Sequence, residues 1–177
     1  ISAGQRIIKW GKTDMFTPLS RFNPIDYTLR SPDFEDAELG NLLGEILFTP
    51  APFFKLSAVA TPFWNPSILI IKPIPLPPNM QVELPEGLKT VNGYHSYGFR
   101  SDFTLRGFDA GLQWYHGPDL MPGLSMVSDD YTNPLEPAVA VKGVPYIINS
   151  AGLDFETVIS PFVLRGTLAY SRPVDEK

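Results

Sequence analysis

Cysteine is absent from the 177 residues, which excludes a disulfide framework and thiolate chemistry. Charge is sparse. Asp, Glu, Lys and Arg make up 19% of the chain, against roughly 25% in average soluble domains. The balance is −5, so no basic field recruits nucleic acid, and none is expected as a partner. Long apolar runs are missing too. Ile68-Leu69-Ile70-Ile71 stops at Lys72, far short of the roughly 20 residues of a spanning helix. Neither an initiating Met nor a signal peptide is present, so a mature form or a piece of a longer protein is expected.

Catalytic motifs are equally scarce. There is no Gly-x-Ser-x-Gly elbow and no phosphate-cradling Gly-rich loop. The carboxylate pair Glu35-Asp36 sits in a polar context typical of surface. The two histidines, His95 and His116, have no second ligand at metal-binding spacing. The expectation is therefore no enzyme, no catalytic residue, no metal and no cofactor. Asp129-Asp130 with Glu136 offers carboxylates to calcium, but without EF-hand spacing, and a solvated acidic loop is the preferred reading.

What the chain does have is alternation with aromatic ends. Phe54-Leu56-Ala58-Ala60-Pro62-Trp64 is the first such stretch, Phe108-Ala110-Leu112-Trp114 the second and Phe162-Leu164-Gly166-Leu168-Tyr170 the third. The opposite parity is more polar, with Lys55, Ser57 and Thr61, then Asp109 and Gln113, then Arg165 and Thr167. A period of two predicts β-strands. An apolar midsection between aromatics suits a strand crossing a lipid layer with its rings at the two interfaces.

The whole chain, 1–177, reads as a single all-β domain with seven strands, near 2–12, 42–49, 53–64, 94–103, 107–117, 142–155 and 161–172. The connections alternate in length. Residues 13–41, 65–93 and 118–141 are long, and 50–52, 104–106 and 156–160 are short. Proline, 19 residues in all, gathers in the connections, where strands must end. Soluble domains rarely carry several structureless connections of such length, whereas outer-membrane barrels alternate short turns with long loops. The first long connection has the signals of a short helix: Ser31 as its cap, Pro32 at its first position, and Asp33, Glu35 and Asp36 in its first turn. The expected fold is an antiparallel up-and-down meander, an incomplete transmembrane β-barrel. Trp10, Trp64, Trp114 and Tyr170 would mark one membrane interface and Phe54, Phe108 and Phe162 the other.

Several motifs in this order resemble a largely uncharacterised group of porin-like outer-membrane proteins of Gram-negative bacteria. They are Ile7-Ile8-Lys9-Trp10-Gly11-Lys12, Phe22-Asn23-Pro24-Ile25-Asp26-Tyr27, the run from Gly107 to Gly117, Gly152-Leu153-Asp154-Phe155-Glu156 and the run from Val163 to Tyr170. The resemblance implies an outer-membrane β-barrel, contact with lipid and passage of small solutes; it supplies no catalytic residues. The chain departs from such barrels in ending Val174-Asp175-Glu176-Lys177 rather than on an aromatic.

Lys55, Arg100, Asp109, Gln113 and Arg165 are the candidate lumen residues, with Arg6, Lys9 and Glu45 behind them. Each either filters solutes or belongs to a structural ion-pair network. The two readings weigh evenly for Arg100 and Arg165, and the network is preferred for the rest. Trp10-Gly11-Lys12 and Asn23-Pro24-Ile25-Asp26 read as a strand end and a turn rather than as a ligand site. Two alternatives stand beside the porin-like reading: a soluble β-sandwich or lipocalin-like binder, and a non-conducting structural barrel, which a filled interior would favour.

Overall fold

The computed structural model describes residues 1–12, 17–31, 33–69, 80–83, 93–130 and 138–174. Seven strands form one antiparallel sheet: β1 (Ser2–Arg6), β2 (Asn41–Ala51), β3 (Phe54–Thr61), β5 (Ser96–Leu105), β6 (Phe108–Pro118), β9 (Ile147–Ile159) and β10 (Phe162–Pro173). They lie side by side in chain order, an up-and-down meander. The sheet is open. Among the described residues β1 and β10 do not pair. An odd number of antiparallel strands leaves these two edges pointing the same way.

Three tight turns sit at one end of the sheet, at Pro52-Phe53, Arg106-Gly107 and Ser160-Pro161. Gly107 has φ +78°, a left-handed conformation that glycine adopts without steric cost. The three long connections all leave from the other end. Two of them are not structureless as expected. β4 (Met80–Glu83), β7 (Gly123–Asp130) and β8 (Ala138–Val144) form a second, three-stranded sheet in the order β4-β8-β7. β4 runs parallel to β8, a long-range pairing that local sequence pattern does not announce.

The first strand is shorter than its pattern, ending at Arg6 rather than near residue 12. Asn23 takes over the backbone just beyond it. Its Oδ1 accepts from the Ile8 amide at 2.9 Å, and its Nδ2 donates to the Ile8 carbonyl at 2.8 Å. The side chain thus does the work of a partner strand and pulls the chain off the sheet edge. The expected helix is one 3₁₀ turn, Phe34–Ala37, and its cap is Asp33. Asp33 Oδ1 accepts from the Glu35 amide at 3.0 Å. Ser31 instead donates its hydroxyl to Asp36 at 2.6 Å.

Directly opposed residues share a face, so the register sorts every strand. One row runs Leu56, Ser101, Leu112, Leu153, Leu168 across β3, β5, β6, β9 and β10. Another runs Ala58, Phe99, Trp114, Ala151, Tyr170. The even-numbered residues of β3, β6 and β10 therefore lie on one face, as the alternation requires. On the other face the rows read Lys55, Asp102, Gly111, Asp154, Thr167 and Ser57, Arg100, Gln113, Gly152, Ala169.

That second face is the covered one. The β1–β2 connection folds over it and supplies Ile8, Trp10, Leu19 and Phe22, all buried, against Leu43, Val59, Tyr115 and Ile148 of the sheet. Phe22 meets Trp10 and Tyr115 edge to face, with ring centroids 5.0 and 5.1 Å apart. Each such pair adds about 0.5–1.5 kcal/mol beyond area burial. Glycines make the approach possible. A Cβ at Gly98 would stand 2.9 Å from the Phe22 ring, and one at Gly152 would overlap the Leu19 side chain.

Asn23 is fully buried and also donates to Ser20 and to Glu38, each at 3.2 Å. Asn23→Ala strands the Ile8 amide and carbonyl. The expected loss is about 2 kcal/mol, read as a lower urea midpoint for the folded protein. An unchanged midpoint would show that the connection is not pinned there.

Candidate functional site

Charge on the strands of the main sheet lies almost wholly on the covered face. Across β2, β3, β5, β6, β9 and β10 the bare face carries no Asp, Glu or Lys, and its one Arg is Arg172, near the connection end. Period-two alternation in each strand, kept in register, produces this segregation.

The covered face holds all five lumen candidates, but in different states. Arg100 is 6% exposed and Asp154 wholly buried. Arg100 Nη1 and Nη2 donate to Asp154 Oδ2 and Oδ1 at 2.6 and 3.0 Å, a bidentate pair. Arg100 Nε donates to Asp102 at 2.8 Å and Nη1 to Gln113 Oε1 at 3.2 Å. Gln113 passes the link on, donating from Nε2 to the Leu19 carbonyl at 2.8 Å. The guanidinium sits against the strand at Gly111, where a Cβ would overlap Nη2. Arg100 and Gln113 thus tie the sheet to its covering connection.

Toward the tight turns the pairs are more open. Arg165 Nε donates to Glu156 at 2.9 Å, and Lys12 approaches Asp109 at 3.8 Å. Arg6 meets Glu45 at 3.0 Å, and Lys9 pairs with Glu35. Lys55 is exposed and makes no ion pair among the described residues. It faces a cleft of about 480 Å³ between the Ile7–Lys12 segment and β1, β2, β3 and β5. A second cavity of about 360 Å³ lies beyond Lys9–Lys12, against Arg21, Tyr27 and Asp119.

The bare face is apolar through its middle except at Ser101. Phe162, Leu168 and Tyr170 are about 70% exposed, and Phe99, Phe108, Leu112 and Trp114 are also exposed. Soluble monomers rarely show an apolar patch beyond a few hundred Å². Aromatics gather at its two ends. Phe54 stacks on Phe103 with centroids 4.7 Å apart near the turns. Near the connections Tyr97 contacts Trp114 and His116 at 5.6 and 5.0 Å.

The Phe ends step regularly. Phe54 opposes Phe103, whose β6 partner is Ala110, so Phe108 lies two residues nearer the turns. Phe108 opposes Thr157, whose β10 partner is Leu164, so Phe162 lies two residues nearer again. Two residues are about 6.6 Å of strand, gained over two strand spacings of about 4.8 Å each. Strands crossing the line through these rings are tilted by about 35°, within the usual range for barrels.

Two expected interface aromatics are elsewhere. Trp10 is 5% exposed and packs inside on Phe22. Trp64 is 2% exposed and donates its indole N–H to the Asp119 carbonyl at 2.8 Å. Both lie beyond the ends of their strands, where parity no longer assigns a face. Tyr97 and His116 take the connection-end positions instead. His116 Nδ1 shares a 2.7 Å hydrogen bond with Asn149, and no metal-binding group of three ligands exists among the described residues. Glu136, which the calcium reading needs, lies outside the described residues. Asp102 and Asp154, the partners of Arg100, are not among the candidate residues that the sequence offers. The available signal was glycine in mid-strand, at 98, 111 and 152, which marks a close approach.

Asp154→Ala leaves the sealed guanidinium short of its main partner, with an expected cost of about 3–5 kcal/mol. Arg165→Ala breaks a part-exposed pair and is expected to cost under about 1 kcal/mol. Chemical unfolding of the two variants distinguishes a sealed network from a rim pair. Burial holds the Glu38 carboxyl above its ordinary value of 4.5, against the lowering influence of Lys9 and Asn23. The folded state therefore binds that proton more tightly than the unfolded chain. Its contribution is present below pH 4.5 and is lost as pH rises through the raised value. Glu38→Gln should flatten that part of the stability–pH curve; an unchanged slope would remove Glu38 from it.

No protein-family model, no curated protein and no solved structure matches the chain.

Proposed function

We propose that this chain is barrel wall of a porin-like outer-membrane protein, with lipid on the bare face and a lumen on the covered face. The observation that carries this reading is the inversion of the sheet. Its packed face is the polar one, and its unpacked face is the apolar one. Water as the surrounding solvent favours the opposite arrangement. Lipid favours this one, because a charge at midplane on the lipid face costs roughly 2–4 kcal/mol.

Length and tilt support the same reading. Phe108 to His116 and Phe162 to Tyr170 each span eight residue steps on the bare face. That is about 26 Å along the strand and about 22 Å after a 35° tilt, close to the roughly 25 Å apolar band of such barrels. In the soluble-sandwich reading a second layer would cover the apolar face, and among the described residues nothing does.

A plugged, non-conducting barrel is the second reading. The buried β1–β2 connection favours it, since Trp10, Leu19 and Phe22 fill the connection end of the lumen. The cleft of about 480 Å³ beside Lys55 is not filled by those side chains, which keeps the conducting reading first. Planar-bilayer recording on the full protein decides between them: discrete conductance is expected, and a folded protein without any would leave the barrel and remove the pore.

Leu112→Arg and Leu168→Arg each place a charge in the middle of the bare face. Each is expected to weaken folding into lipid vesicles by about 2–4 kcal/mol. Thr104→Arg, on the covered face near the turns, should cost far less. Equal tolerance at all three positions would sink the lipid assignment.

A further inference from the structure

The cleft beneath the covering connection has a lopsided lining. Arg6, Lys9, Lys12, Lys55 and Arg100 reach it, against two carboxylates, Glu45 and Asp102, among the described residues. The other carboxylates that balance these cations stand outside the lining. Asp154 is sealed behind Arg100, Asp109 lies beyond Lys12, and Glu35 holds Lys9 from the far side. A solute in the cleft therefore meets positive charge first. Lys55 differs from the rest, because its ammonium is exposed and makes no ion pair among the described residues. Ser57 and Thr104 add hydroxyl donors to the same wall. The Lys9–Lys12 segment borders the second cavity as well, so the two spaces share one basic partition.

We propose that this cleft binds small phosphate or carboxylate anions, with Lys55 as the recognising cation. The phosphate or carboxylate oxygens would accept from the Lys55 ammonium and the wall hydroxyls, without displacing the carboxylates already bound to Arg6 and Arg100. Binding follows from the cleft alone. Passage of the anion rests in addition on the covered face being a lumen.

The test uses the full chain folded in detergent micelles and titrated calorimetrically at low salt with inorganic phosphate, then with malonate. Saturable binding is expected to at least one, and their order tells phosphate from carboxylate preference. Lys55→Ala should weaken it roughly fivefold or more, the size of one charge at close range in water, and Lys55→Arg should retain it. Circular dichroism confirms that the variants are folded. No binding by the wild type, or binding that Lys55→Ala leaves unchanged, overturns the proposal. Planar bilayers separate the two levels. Wild-type conductance should prefer chloride over potassium, and Lys55→Glu should reverse that order. Cation-preferring wild-type conductance overturns the anion assignment while leaving the pore. Phosphate binding without conductance upholds the cleft and defeats the pore.

Discussion

A strand has two faces, and in six strands of this sheet every Asp, Glu and Lys falls on the same one. The rest of the structure depends on that constraint. A face carrying eight charged side chains from Glu45 to Arg165 cannot be closed by apolar packing alone. It closes with ion pairs, amide side chains and a connection able to hydrogen-bond. The opposite face has no charge to solvate through its middle, and so no need of water.

The covering connection meets that demand in two ways. Its side chains Trp10, Leu19 and Phe22 pack with Leu43, Val59, Tyr115 and Ile148. Its backbone carbonyl at Leu19 accepts from Gln113, which also holds the buried Arg100. Asn23 satisfies the Ile8 backbone on both sides, so a segment that leaves the sheet keeps its hydrogen bonds. Three mid-strand glycines, at 98, 111 and 152, give Phe22, Arg100 and Leu19 room to lie against the strands. Their absence of side chain weakens each strand a little and lets the interior fill.

The main sheet was largely legible in the sequence. The meander has the seven strands expected, with the expected alternation of tight turns and long connections, but the first ends early at Arg6, and the expected sixth, 142–155, divides between the end of β8 (Ala138–Val144) and β9 (Ile147–Ile159). Lys55, Arg100, Asp109, Gln113 and Arg165 were assigned to one face by parity, and the register puts them there. Parity failed where strands end. Trp10 and Trp64 lie past those limits, and their burial depends on Phe22 and Asp119, distant in the chain. In the small sheet, β4 escaped because its short parallel pairing with distant β8 leaves no local period, and β7 pairs β8 antiparallel through an irregular register. The capping residue shifted from Ser31 to Asp33 because a single 3₁₀ turn starts later than a helix opening at Pro32 would.

The sequence by itself determined the strands, their two faces and the direction of the connections, because a period of two and a turn residue act locally. The tertiary structure alone decided which face is covered, and by what. Whether a charged residue lines a space or is sealed in a network depends on partners far along the chain. Arg100 is locked because Asp154, 54 residues away, lies two strands across. Lys55 makes no ion pair among the described residues, while Asp102, its neighbour in register, is bound to Arg100.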